Sequence, residues 1–113
     1  MHALIIEDEP FLAMVIEDHL RCIGYTSFDF ARTEAEAVAA AQARCPDLIT
    51  SDVQLPQGCG IAAVEAICRG KRIPVVFITA TAGAMQARMS DAVVVRKPFI
   101  VAELAQAVAA TAG

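Results

Sequence analysis

Four apolar segments of this 113-residue chain each end in a side chain that can do chemistry. LIIEDEP (4–10) leads into Glu7, Asp8 and Glu9, and DLITSD (47–52) ends in Asp52. PVVFITA (74–80) closes on Thr79 and Ala80, and AVVVR (92–96) runs into Lys97. Adjacent carboxylates repel by about 1 kcal/mol per pair at 4 Å in water, and by several times that near an interior. A divalent cation relieves such repulsion. Oxygen-only ligation favours Mg²⁺, which takes one or two carboxylates and keeps room for waters and phosphate oxygens. A carboxylate beside Mg²⁺ can attack a phosphoryl group and become an acyl phosphate. The charge that develops on the transferring oxygens then calls for an ammonium such as Lys97, a hydroxyl such as Thr79 and backbone N–H groups.

Each residue has a plainer reading when taken singly. Asp8 and Glu9 suit a helix N-terminus, Asp52 suits a turn, Thr79 an ordinary strand and Lys97 a solvated loop. Their joint placement depends on the elements that carry them. ALII (3–6) is a short apolar run of the kind buried on both faces of a sheet. Pro10 suits a first helical turn, Leu12, Ile16, Leu20 and Ile23 recur at helical spacing, and Gly24 stops the helix. YTSFDF (25–30) reads as a second strand. Thr33 caps an alanine-rich helix with Glu36 completing a capping box, and that helix ends near Cys45-Pro46. Residues 47–52 form a third strand, and a loop punctuated by Pro56, Gly58 and Gly60 leads to a helix over 61–69, stopped by Gly70. PVVFIT (74–79) is a fourth strand, 82–89 a short helix and AVVV (92–95) a fifth strand, and Pro98 opens a last helix through Ala110. Strands that alternate with helices imply a parallel sheet covered on both faces. Ligands of such sheets sit beyond the carboxyl ends of the strands, where Glu7, Asp8, Asp52, Thr79 and Lys97 all fall.

Bulk properties narrow the function classes. Apolar residues make up 57% of the chain, enough for one packed core and against a disordered segment. The net charge is −4 and no cationic stripe occurs, so the footprint of direct nucleic-acid binding is missing. The longest uncharged stretch, from Arg72 to Gln86, is too short and interrupted to span a bilayer, and no basic segment precedes the first apolar run. Cys22, Cys45, Cys59 and Cys68 form no C-x-x-C pair and have no histidines at zinc spacing, which suits reduced thiols in a cytoplasmic protein.

LIIEDEP, DLITSDVQLPQGCG, PVVFITAT and VVVRKPF, in this order and spacing, resemble the receiver domain of two-component response regulators over the whole chain, residues 1–113. The resemblance implies a flavodoxin-like (βα)5 doubly wound sheet in the strand order 2-1-3-4-5, the order known for this family. The fourth helix is expected to be short or irregular. Asp52 would be the phosphoacceptor, supplied by a phosphohistidine of a sensor histidine kinase or histidine phosphotransfer protein. Asp8, Asp52 and the backbone carbonyl of Gln54 would ligate Mg²⁺, with Glu7 acting through a water. Thr79, Lys97 and the N–H groups of Gln54 and Ala80 would hold the phosphoryl oxygens. The phosphorylated state would alter contacts with a downstream protein, in a module that assists its own phosphorylation and dephosphorylation without being a conventional enzyme.

Two departures stand out. The family usually has Tyr or Phe where this chain has Val94, and valine is stiff about χ1 with no ring to relocate. A switch built on Thr79 and Val94 would therefore lack its aromatic partner. The stretch 81–91 is short, and is expected to be loose and to tighten when Thr79 turns toward the phosphoryl group. PVVFITAT is similar to the P-x-x-F-x-T-G-[YF] motif of a receiver subgroup, departing at Ala80 and Thr81. Phe11 and Met14, off the inward stripe of the first helix, and Ile100 and Val101, at the start of the last, are candidate partner contacts.

Other classes fit less well. A haloacid-dehalogenase-type hydrolase wants a second Asp at Gln54 and a cap. A flavodoxin-type cofactor binder wants hydroxyls and glycines after the first strand, because acids repel a cofactor phosphate. A receiver-like module that works by protein contacts without phosphate is the nearest alternative.

Overall fold

The structure, a computed structural model, describes residues 1–80 and 92–111. Five strands, β1 (His2–Ile6), β2 (Ser27–Ala31), β3 (Leu48–Ser51), β4 (Val75–Thr79) and β5 (Val94–Arg96), form one sheet in the order β2-β1-β3-β4-β5. All four pairings are parallel, as the alternation with helices requires. Among the described residues the helices are α1 (Pro10–Cys22), α2 (Glu34–Ala43), α3 (Gly60–Ile67) and α4 (Val101–Thr111).

The sheet separates two apolar layers. One joins Ala3, Ile5, Leu48, Val76 and Ile78 to Ile16 and Leu20 of α1 and Leu104 of α4. The other joins Leu4, Ile6, Ile49 and Phe77 to Ala37 and Ala41 of α2 and Ile61, Val64 and Ile67 of α3. Burial on both faces explains why residues 3–6 of β1 read as a continuous apolar run rather than an alternating one, and in β3 it extends to the polar Thr50 and Ser51. His2 is the polar exception at the lower end of β1. It is buried, with its ring against Ser27 Oγ (2.7 Å) and Asp29 Oδ2 (2.9 Å), which pins β1 to the edge strand β2.

Several expected boundaries move. The second strand begins at Ser27 rather than Tyr25, because Tyr25 N–H donates to Leu20 O to close the α1 turn and Thr26 N–H donates to Met1 O. Gly24 takes φ +108° in that turn, a conformation open to glycine. Thr33 accepts from Glu36 N–H (3.1 Å) as expected, but the Glu36 carboxylate reaches back to Arg32 N–H (2.8 Å), one residue before the cap. α2 ends at Ala43 and α3 at Ile67, and β5 starts at Val94 rather than Ala92.

Pro98 does not open the last helix. The Lys97–Pro98 peptide is cis, and α4 starts at Val101, where the Glu103 carboxylate accepts from Ile100 N–H (3.0 Å). Local capping by Glu103 thus overrides the proline as a start signal. The expected helix over 82–89 and the expected behaviour of 81–91 lie outside the described residues.

Candidate functional site

Strand register builds the site. Ile6 pairs with Ser51 and Thr79 with Arg96, so the residues that follow β1, β3 and β5 emerge together at one edge. Backbone bonds extend the ladder one step: Glu7 N–H donates to Ala31 O, Asp52 N–H to Ile6 O and Lys97 N–H to Thr79 O. Glu7, Asp52 and Lys97 are therefore fixed by β-pairing before any side-chain contact is made.

At that edge the Lys97 ammonium bridges two carboxylates, donating to Asp52 Oδ2 (3.0 Å) and Glu7 Oε1 (3.2 Å). The Glu7 side chain is 1% exposed, that of Asp52 12% and that of Lys97 20%. Glu7 Oε2 accepts from Glu9 N–H (3.1 Å). Asp52 Oδ1 accepts from Val53 N–H (2.7 Å) and, at longer reach, from Gln54 N–H (3.4 Å). One carboxylate oxygen from each of Glu7, Asp8 and Asp52 lies within 4.8 Å of the others, with Asp8 half-buried. Three hard oxygens at this spacing fit a divalent cation of the magnesium type, with positions left for water or phosphate. Thr79 is buried at the end of β4, and Ala80 and Gln54 are exposed on the loops that follow β4 and β3.

The electrostatics follow from this packing. Burial pushes the Glu7 carboxyl above its ordinary value, and the charge of Asp52 adds to that. The Glu9 N–H and the Lys97 ammonium pull the other way without cancelling it. Burial pulls the Lys97 ammonium down, yet its hydrogen bond to Asp52 and the charges of Glu7 and Asp52 together carry it above the ordinary lysine value. Lys97 stays charged and holds an otherwise crowded acidic edge together.

Each residue expected at the site is found at this edge except Val94, which lies in β5 opposite Phe77. Residues named only as loop punctuation or helix start also shape it. A Cβ on Gly60 would run into the Asp52 carbonyl and lie 2.6 Å from Ser51 Oγ, so only glycine lets α3 start this close to Asp52. Gly60 N–H donates to Val53 O and Ser51 Oγ to Asp52 O (2.8 Å each), which fixes the backbone on both sides of Asp52. Gly58, at φ +104°, leaves space for the Glu34 side chain, whose carboxylate accepts from Cys59 N–H (3.1 Å) and ties the 53–59 loop to α2. The glycines are visible in the sequence, but the atoms that force them are brought close only by the fold.

Comparison with known proteins agrees with this fold. A family model described as the response regulator receiver domain matches residues 3–109. The phyllosphere-induced regulator PhyR of Methylorubrum extorquens is 43% identical over 79 residues, covering 68% of this chain and 30% of that protein. The crystal structure of the anti-anti-sigma factor PhyR from Bartonella quintana, at 37% identity, superposes with a TM-score of 0.85 over 98% of this chain and 46% of that one. The receiver domain of the sensor histidine kinase PA1611 from Pseudomonas aeruginosa, solved with a magnesium ion in its active-site cleft, superposes with a TM-score of 0.82 at 27% identity, covering 99% of this chain and 98% of that one. This chain thus spans less than half the length of either PhyR.

Proposed function

The chain belongs to the response regulator receiver domain family, and from that premise we propose that it is the phosphoacceptor of a two-component phosphorelay. One observation carries the reading: a single ammonium, Lys97, bridges Glu7 and Asp52 at the edge where Asp8 also presents its carboxylate. In the proposed reaction a carboxylate oxygen of Asp52 attacks the phosphorus of a partner's phosphohistidine. The new O–P bond forms as the P–N bond breaks, and the imidazole leaves with the electron pair. Asp8, Asp52 and the Gln54 carbonyl would hold Mg²⁺ directly and Glu7 would hold it through a water; the bound ion supplies charge neutralisation at the phosphoryl oxygens.

The chain's own groups do the rest. Val53 N–H fixes one oxygen of Asp52 and so orients the carboxylate. Lys97, already 3.0 Å from Asp52, pairs with the phosphoryl group once it is attached. The Thr79 hydroxyl and the N–H groups of Gln54 and Ala80 complete the cradle, and the small Ala80 side chain leaves the approach open. With valine at position 94, Thr79 would act without an aromatic follower, and the changed state would be read through protein contacts. A cytoplasmic location belongs to the same proposal; among the described residues no helix is long and apolar enough to cross a membrane. A groove of about 430 Å³ is lined by Leu12, Val15, Lys97, Pro98 and Phe99, and the exposed Phe11, Met14 and Ile100 (77%, 61% and 63%) are chain neighbours of these residues. A histidine-bearing helix of the kinase or phosphotransfer protein would dock there, beside the acceptor.

The test is direct. Incubation with a small phosphodonor and Mg²⁺ should add one phosphoryl group by intact mass. The addition should vanish in Asp52→Asn and after chelation of the metal. Phosphorylation that persists in Asp52→Asn would move the acceptor elsewhere, and none in the parent protein would favour a module that works by contacts alone.

A further inference from the structure

Four cations gather at the end of the domain away from the carboxylates. In a parallel sheet the helices run back against the strands, so the C-termini of α2 and α3 lie beyond the N-terminal ends of the strands. Arg44 follows α2, Arg69 follows α3, and Lys71 and Arg72 lie in the loop that leads to β4; all four are exposed. Among the described residues the ion pairs are His2–Asp29, Arg21–Glu17 and the two made by Lys97, and none involves these four. Helix C-termini favour cations, which accounts for Arg44 and Arg69. Lys71 and Arg72 lie beyond the last turn of α3 and concentrate positive charge in a chain whose net charge is −4.

Between α2 and α3 two of these cations, Arg69 and Lys71, line a groove of about 170 Å³ whose other walls are Val38, Ala41, Gln42, Ala66 and Ile67. A separate hollow along α2 shares Val38 and Gln42 with it and is lined further by Glu34, Ala35, Ala39, Gln57 and Gly58, so an acidic segment would be confined to the end that Arg69 and Lys71 line. α2 carries alanine outward as well as inward, so a bound chain could approach its backbone closely.

We propose that this groove docks an acidic polypeptide segment, which seats one aliphatic side chain between α2 and α3 and sets its carboxylates against Arg69, Lys71 and their neighbours. Charge complementarity selects the sign of the partner, and the apolar walls select a polypeptide. No aromatic side chain lines the groove for base stacking, and the negative charge of the rest of the domain opposes a long polyanion. The groove lies toward the C-termini of α2 and α3, at the opposite end of the strands from Asp52, so it would tether a partner whatever the state of the acceptor.

A fluorescent hexapeptide of alternating leucine and glutamate, titrated by anisotropy at low ionic strength, tests this. Saturable binding is expected, weakened about tenfold or more (1.4 kcal/mol) by Arg69→Glu with Lys71→Glu. Ala66→Phe, which fills the groove at an exposed position without changing charge, should weaken it to a similar degree, and an all-glutamate peptide should bind as poorly. Circular dichroism of each variant confirms that it is folded. Absence of saturable binding overturns the proposal. So does equal binding of the all-glutamate peptide or by Ala66→Phe, or displacement of the peptide by an equally charged single-stranded oligodeoxynucleotide at lower concentration.

Discussion

Replacing Lys97 with methionine isolates what the ammonium does, because the two side chains are similar in length and only the charge and its hydrogen bonds are lost. Lys97 lies 3.0 Å from Asp52 and 3.2 Å from Glu7, whose side chain is 1% exposed. Removing one partner of a buried ion pair costs about 3–5 kcal/mol, mainly because a charge is left uncompensated. Asp52 is more open to water than Glu7, and methionine avoids the cost of burying an ammonium, so the expected loss is about 2–3 kcal/mol at pH 7. For a domain of this size that is a fall in Tm of roughly 10 °C.

The pH dependence identifies the charge responsible. The folded-state pKa of Glu7 is raised above its ordinary 4.5. Its contribution to stability is thus fully present below pH 4.5 and is lost as pH rises through the raised folded value. Without Lys97 the carboxyl is pushed further up, so Lys97→Met loses more above that range, while below about pH 4.5 Glu7 is neutral in both proteins. Urea denaturation from about pH 4 to 8 should therefore show a gap that narrows on acidification. Adding Mg²⁺ at about pH 7 should raise the Tm of the variant more than that of the parent, because its site carries one more uncompensated negative charge. Equal stability at neutral pH, or a gap of constant size down to about pH 4, would refute the account of Lys97 as the counter-charge of Glu7.

Three further outcomes follow from the same structure. Thr50 Oγ1 is buried without a hydrogen-bond partner, so the isosteric Thr50→Val should stabilise the domain by about 1 kcal/mol in urea denaturation. Gly60→Ala should cost about 2–4 kcal/mol, because the Asp52 carbonyl cannot yield to a Cβ without moving Asp52 itself; under the proposed function, residual folded protein should also phosphorylate more slowly from a small donor. At alkaline pH, burial first and Asp47 second hold the Tyr25 phenol above its ordinary 10.0, and Lys97 is raised above 10.5. The Lys97 contribution is present below its ordinary value and is lost as pH climbs through the folded one, whereas the raised Tyr25 likewise favours the folded state only while the phenol stays neutral. Stability should fall above about pH 10, and less steeply in Tyr25→Phe.

The sequence alone determined the parallel sheet, its alternation with helices and the edge where the carboxylates and Lys97 meet. Strands buried on both faces are mostly apolar, and a charged residue that ends such a run marks the strand tip. Glu7, Asp8, Asp52 and Lys97 were legible for that reason, Thr79 because it closes the apolar run 75–78, and Thr33 as a helix cap because capping is local. What the tertiary structure decided depends on atoms far apart in the chain. Lys97 spans 90 residues to reach Glu7 and 45 to reach Asp52, and no local pattern says that one ammonium serves two carboxylates. Gly60 looks like any loop glycine until the fold brings the Asp52 carbonyl against it. Pro98 misled because a local start signal gave way to the Glu103 cap three residues beyond Ile100. The α2–α3 groove likewise joins Val38 and Ala41 to Ala66 and Arg69 only when the two helices pack side by side.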